Sequence, residues 1–202
     1  MITRIYHALA KRYAPSGLKR RIWDQEYQSG QWDTSGRPAD AALAARDPVL
    51  EAIDRYAGGG GILDLGCGSG LTALEITNFY SKYVGVDISE NAVKRAAEEM
   101  ARHPERAGKT SFVAADIARY APAEAFKLIL FRESIYYFPV YQVRRILRRY
   151  SLFLAPEGVF VARLHDRQRY RGIVSLIETK YKVVERLVPP GYAGVVLVFR
   201  PR

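Results

Sequence analysis

The 202-residue sequence predicts an α/β fold: a seven-stranded, mostly parallel sheet with helices on both faces and an antiparallel hairpin at its C-terminal end. Three observations point there. Short apolar runs rich in Val, Ile and Leu alternate with longer stretches of helical periodicity, the pattern of a sheet covered on both sides. One such run, residues 62–65, leads straight into a glycine-rich turn. Two β-rich runs close the chain, and Pro189-Pro190-Gly191 marks the reversal between them.

The elements follow in order. Residues 1–21 carry Arg4, Lys11, Arg12, Lys19, Arg20 and Arg21 without one acid, and Ile2, Ile5, Leu9 and Tyr13 share a face of an amphipathic helix. An aromatic and acidic segment, residues 23–33, holds Trp23, Tyr27 and Trp32 and lies outside the sheet. Residues 1–40 thus read as an N-terminal extension or lid, and 41–202 as the domain proper. Pro38-Ala39-Asp40 starts a helix that runs to about residue 56, with Pro48 as a kink or break. Strand one spans 62–65, a helix 71–79 and strand two 83–86. Ser89 is placed to cap a helix whose buried stripe is Ala92, Val93, Ala96, Ala97 and Met100. Strands three and four span 111–114 and 127–131. A helix over 140–153 puts Arg144, Arg145, Arg148 and Arg149 mainly on its outer face. Pro156-Glu157-Gly158 turns into strand five, 159–164. A helix over 166–180 precedes the hairpin strands 181–188 and 195–199.

Composition narrows the function classes. Half hydrophobic and a quarter charged, the chain has the balance of a globular domain. Its single cysteine, Cys67, excludes an internal disulfide framework and a cysteine-based metal cluster, and suits a reducing cytoplasm. No long apolar run marks a secretory signal or a membrane span in the first twenty residues. The net charge of +10 favours acidic or phosphate-rich partners. The basic N-terminal helix fits contact with an anionic membrane surface, covering of an active site, or packing on the domain.

The chemistry concentrates at Asp64-Leu65-Gly66-Cys67-Gly68-Ser69-Gly70. Glycines lack Cβ, so a ligand can lie against bare backbone, and the following helix aims unpaired N–H groups at it. A dinucleotide fingerprint, G-x-G-x-x-G, would need glycine at position 71, where Leu71 stands. The nine residues 62–70 resemble the first motif of class I S-adenosylmethionine-dependent methyltransferases. The resemblance covers about residues 41–202. It implies a Rossmann-like sheet, the cofactor S-adenosyl-L-methionine, and cofactor contacts from Asp64, Gly66, Cys67, Gly68 and Gly70. It further assigns Asp87, which ends strand two beside Ile88, to the two ribose hydroxyls. Asp116 it assigns to the adenine amino group, with Ile117 packed on the ring. Arg132, at the end of strand four, joins the cofactor residues.

Beside the sulfonium the chain reads Arg132-Glu133-Ser134-Ile135-Tyr136-Tyr137. This is not the Asn/Asp-Pro-Pro-aromatic motif of enzymes that methylate nucleic-acid amino groups. It resembles the nodulation methyltransferase type, which N-methylates an amino sugar. Glu133 is the candidate general base or amine anchor, and equally an ion-pair partner for an arginine. Tyr136 and Tyr137 are candidates for the pocket wall, with Tyr137 counted among the catalytic candidates. His165, just after strand five, sits at the right sheet edge and is a candidate to carry a proton. Tyr27 and Trp32 are expected to close over the cleft. The acceptor so implied is an oxygen or nitrogen of a small molecule or saccharide. An RNA or protein acceptor docked on the basic surface is the alternative. Methyl transfer itself calls for no metal.

Overall fold

Strands apolar on both sides need helices over both faces. The computed structural model describes residues 2–30, 32, 47–188 and 190–202. Seven strands form one sheet: β1 (Gly59–Leu65), β2 (Tyr80–Asp87), β3 (Thr110–Ala114), β4 (Phe126–Arg132), β5 (Leu154–Leu164), β6 (Lys182–Leu187) and β7 (Val195–Arg200). Their order is β3-β2-β1-β4-β5-β7-β6. The first five pair in parallel, and β7 runs antiparallel between β5 and β6. The order reverses between β1 and β4, which opens a crevice at the carboxyl ends of the strands.

Two hydrophobic layers flank the sheet. Leu63 and Leu65 join Phe131, Phe160 and Phe199 beneath α7 (Val140–Tyr150) and α8 (Arg171–Lys180). Ile62, Leu128, Leu130 and Val161 face the other way, against α3 (Pro48–Tyr56), α4 (Leu71–Glu75) and Met100 of α5 (Glu90–Met100). Strand alternation puts Asp64 on the second side. It is fully buried there and accepts a hydrogen bond from the Tyr83 hydroxyl at 2.5 Å.

Burial raises the Asp64 carboxyl to about 6, opposed by the Tyr83 hydrogen bond. The folded protein therefore binds this proton more tightly than the unfolded chain. The stabilisation is complete below the ordinary carboxyl range and is lost as pH rises through about 6. Asp64→Asn, which keeps an acceptor for Tyr83, is expected to flatten the fall in stability between about pH 4 and 6. Denaturant titrations across that range measure it, and an unchanged slope contradicts it.

Several boundaries depart from expectation for local reasons. The helix expected over 71–79 stops at Glu75, because Arg106 donates to the open carbonyls of Ala73 and Ile76. The chain then extends into β2 three residues earlier than expected, with Tyr80 and Tyr83 buried. Ser89 caps α5 as expected, accepting from Ala92 N, but Ala97 faces solvent and leaves the stripe. Pro48 opens α3 rather than kinking it: Asp47 is extended and caps the helix by accepting from Val49 N. The helix expected from residue 166 begins at Arg171, because Asp166 accepts from Gln168 N and Arg169 N and closes a separate turn. β5 begins at Leu154 and runs through the expected turn, with a register shift against β4 and Glu157 in the left-handed region. α7 ends at Tyr150 and continues as a single 3-10 turn, Ser151–Phe153. A short helix, α6 (Pro104–Ala107), precedes β3.

The N-terminal segment forms two helices, α1 (Ile2–Tyr13) and α2 (Ser16–Gln28), so Trp23 and Tyr27 stand one turn apart on α2. The helix start expected at 38–40, the boundary at residue 40, and Asp33 all lie outside the described residues. Among the described residues no helix is long and apolar enough to cross a membrane.

Candidate active site

The turn after β1 has the backbone that its glycines permit. Gly66, Gly68 and Gly70 lie at φ of 88°, 54° and 80°, a region that L side chains avoid. Space forbids side chains as well. A Cβ on Gly66 would stand 2.4 Å from Ser134 Cβ, and one on Gly68 would stand 2.6 Å from the Tyr27 hydroxyl. Asp87, at the end of β2, straps this turn to the start of α5. One carboxylate oxygen accepts from Gly68 N and the other from Ser89 N, both at 2.9 Å. It is only 8% exposed, and burial raises its pKa against the pull of these backbone bonds.

Beside the turn lies a cleft of about 300 Å3. Gly66, Cys67, Gly68, Asp87, Ile88, Asp116 and Ile117 line it, and so do Arg132, Glu133, Tyr136, Tyr137, Tyr27 and Trp32. Three of the residues singled out from the sequence are not on its wall. Asp64 is bonded to Tyr83 behind the sheet. Gly70 starts α4 and faces Ala96 and Phe112, where it sets the turn without touching the cleft. His165 stands one residue further out, behind Glu133.

α2 crosses the carboxyl edge of the sheet and is tied down along its length. Ser16 donates to Asp116, and Arg20 pairs with Glu90. Asp24 accepts from the Ser89 hydroxyl at 2.7 Å. The helix therefore brings Trp23 and Tyr27 over the glycine turn. Burial, then the neighbouring Asp87, pushes the Tyr27 phenol up, so it stays a neutral donor at ordinary pH. Asp116 has both oxygens engaged, since Ala118 N donates to the second at 2.8 Å.

At the end of β4 two charge clusters separate. Arg132 reaches Asp47 at 2.7 Å and Glu75 at 2.5 Å and donates to Thr72. Its guanidinium is thus already committed to carboxylates of the protein. Glu133 holds φ at 59°, a strained value for a residue with a side chain. One of its oxygens lies 3.0 Å from His165 Nδ1. The other lies 3.0 Å from Arg163 Nε, at ion-pair distance but out of line for a hydrogen bond. His165 Nε2 meets the Tyr170 hydroxyl at 3.5 Å, and Tyr170 stacks on Tyr136 at 4.5 Å. The side chain of His165 is 45% exposed, so a path for a proton runs from Glu133 to solvent. Tyr137 packs edge-on against Trp23, and burial pushes its phenol up to about 12.

Comparison with known proteins adds to this geometry. Residues 62–158, from the first strand of the glycine turn to the start of β5, match the family described as a methyltransferase domain. That match takes in just under half of the chain. The 27-O-demethylrifamycin SV methyltransferase of Amycolatopsis mediterranei (strain S699) is 25% identical over 181 residues, covering 79% of this chain and 64% of that enzyme. The magnesium-protoporphyrin O-methyltransferase of Rhodobacter capsulatus is 33% identical over 86 residues, covering 43% of this chain and 37% of that enzyme. The chain thus spans less than two thirds of the length of these relatives. The N-methyltransferase NodS of Bradyrhizobium japonicum WM9, solved with S-adenosyl-L-homocysteine, shares the fold: TM-score 0.71, 19% identity, 90% of this chain and 97% of that one covered. The match to the methyltransferase domain includes the glycine turn, Asp87, Asp116 and Glu133, but neither α2 nor His165.

Sequence reasoning missed Lys11, Glu26, Arg163, Ser134 and Asp47. Ser134 had a local signal, since it sits between two candidate residues. The others come together only through tertiary packing.

Proposed function

We propose that this chain is a methyltransferase that takes its methyl group from S-adenosylmethionine and delivers it to an oxygen or nitrogen of a small molecule or saccharide. The observation that carries the reading is the Asp87 carboxylate, strapped across a left-handed glycine turn at the wall of an apolar cleft. Each of its oxygens gives one lone pair to backbone and keeps another, which fits two vicinal hydroxyls. Tyr27 closes on the glycine turn so tightly that Gly68 has no room for a side chain. Asp87 would hold the ribose, Ile88 and Ile117 would flank the base, and Asp116 would meet the adenine once Ser16 yields. The cofactor supplies a methyl group already activated on a sulfonium.

What remains for the protein is positioning and proton handling. Trp23, Tyr27 and Trp32 cover the cleft and exclude water. Glu133 accepts the proton of a hydroxyl or ammonium acceptor and passes it toward His165. Arg163 steadies the resulting charge pattern around Glu133. α1, α2 and Trp32 act as the lid of this pocket. An RNA or protein acceptor would have to thread its reacting atom past α2, which favours a small acceptor.

Incubation with isotopically methyl-labelled S-adenosylmethionine and a pool of small hydroxyl and amine metabolites tests the function. The expected product is a labelled small molecule with matching S-adenosylhomocysteine. Label found only in RNA or protein would replace this reading with the polymer one. Trp32→Ala is expected to lower turnover on that acceptor by roughly tenfold or more, the scale of one lost aromatic contact plus water entry. Unchanged turnover in the folded variant would remove Trp32 from the lid.

A further inference from the structure

A lysine ammonium sits among three aromatic rings of the cleft. Lys11, from α1, places its ammonium 4.0 Å from the centre of the Trp23 ring, 5.6 Å from Trp32 and 5.9 Å from Tyr137. The Glu26 carboxylate meets it at 2.6 Å, and the same oxygen accepts from Trp32 Nε1 at 2.9 Å. Both charged side chains are only 11% exposed. Trp23 lies 4.8 Å from Tyr137 and 5.7 Å from Trp32, so the three rings form a continuous wall. All three, and Lys11, line the same cleft as the glycine turn.

Rings with their faces toward one point, plus one carboxylate, make a receptor for an organic cation. The present occupant is poorly suited to it. A lysine ammonium is compact and strongly hydrated, and its burial costs solvation. An alkylated ammonium is more weakly hydrated and spreads its charge over methyl groups, so rings replace its water at less cost. Lys11 also belongs to a helix that packs on α2 rather than on the sheet. His7, one turn back on the same face of α1, is exposed, so the side chain has solvent to move toward. If it leaves, the box keeps Glu26 with Trp32 Nε1–H still bonded to it, and one negative charge without its partner.

We propose that Trp23, Trp32, Tyr137 and Glu26 form a recognition box for an alkylammonium group on the methyl acceptor, and that Lys11 occupies the box as an internal stand-in that the acceptor displaces. This rests on the reading of the cleft as the acceptor pocket of a methyltransferase. It narrows the acceptor to an amine, cationic when it binds. Lys11 then has a second effect: it keeps the apolar box closed to neutral molecules and water until a competing cation arrives.

The test is a calorimetric titration of tetramethylammonium chloride into protein saturated with S-adenosylhomocysteine, against a sodium chloride control. Wild type is expected to bind weakly. Lys11→Met removes the competitor and is expected to bind about tenfold more tightly, the scale of one lost ion pair. Adding Trp23→Ala to Lys11→Met should abolish the gain. Lys11→Gln carries the same expectation should the methionine variant not fold. The inference is overturned if either Lys11 variant binds S-adenosylhomocysteine as wild type does yet gains nothing for tetramethylammonium, or if the gain survives loss of Trp23. A gain confined to S-adenosylmethionine would mean that the box reads the sulfonium, and also overturns it. Failure of S-adenosylhomocysteine to bind wild type would overturn the reading of the cleft itself, a separate result.

Discussion

Asp87→Ala should weaken S-adenosylmethionine binding by a factor of roughly 30 to 1000. A carboxylate that accepts from both ribose hydroxyls contributes on the order of 2–4 kcal/mol through charge-assisted hydrogen bonds, and about 1.4 kcal/mol is tenfold in affinity. The structure adds a second source of loss. Asp87 also accepts from Gly68 N and Ser89 N, so its removal loosens the glycine turn that forms the floor of the cleft. The fold should survive, because the side chain ends a strand at the cleft and does not pack in either hydrophobic layer. Asp87→Asn, which keeps one acceptor oxygen, should fall between wild type and alanine. Calorimetry with folded variants decides it, and an unchanged dissociation constant for Asp87→Ala would remove the residue from the site.

Glu133→Gln should lower turnover by roughly a hundredfold to ten-thousandfold on an acceptor that arrives protonated, the usual range for loss of a general base. Glutamine keeps the length and the strained backbone, so positioning changes little. Cofactor affinity should stay within about threefold of wild type, since Glu133 is not among the residues assigned to the cofactor. Single-turnover kinetics beside calorimetry separates the two quantities. Full turnover in Glu133→Gln would leave this residue as a structural partner of Arg163 and His165 only. A fall in cofactor affinity equal to the fall in turnover would move it to the cofactor side.

The sheet was legible because its signals are local. Residues 83–86 are apolar on both faces and 62–65 are apolar but for Asp64, the mark of strands buried on both sides. The glycine spacing at 66, 68 and 70 announced a turn of left-handed residues, and all three have that backbone. Helix ends were less legible, since they depend on distant groups: Arg106 terminates α4 from another helix. Asp64 shows how a motif can mislead about contact. Its place beside the glycines suggested a cleft residue, yet strand alternation turns it behind the sheet onto Tyr83. The strain at Glu133 had no sequence signal at all, because glutamate ordinarily avoids that backbone. Trp23 and Tyr27 were visible as aromatic residues of a segment outside the sheet. Their meeting with Lys11, Glu26 and Tyr137 was not, because three separate elements converge there.

The central claim is that the glycine turn with Asp87 holds S-adenosylmethionine. The most direct test is isothermal titration of the purified chain with S-adenosylmethionine, S-adenosylhomocysteine and NAD in turn. Saturable one-to-one binding of the first two, with no heat from NAD, is the predicted result. Binding of NAD alone would contradict the account.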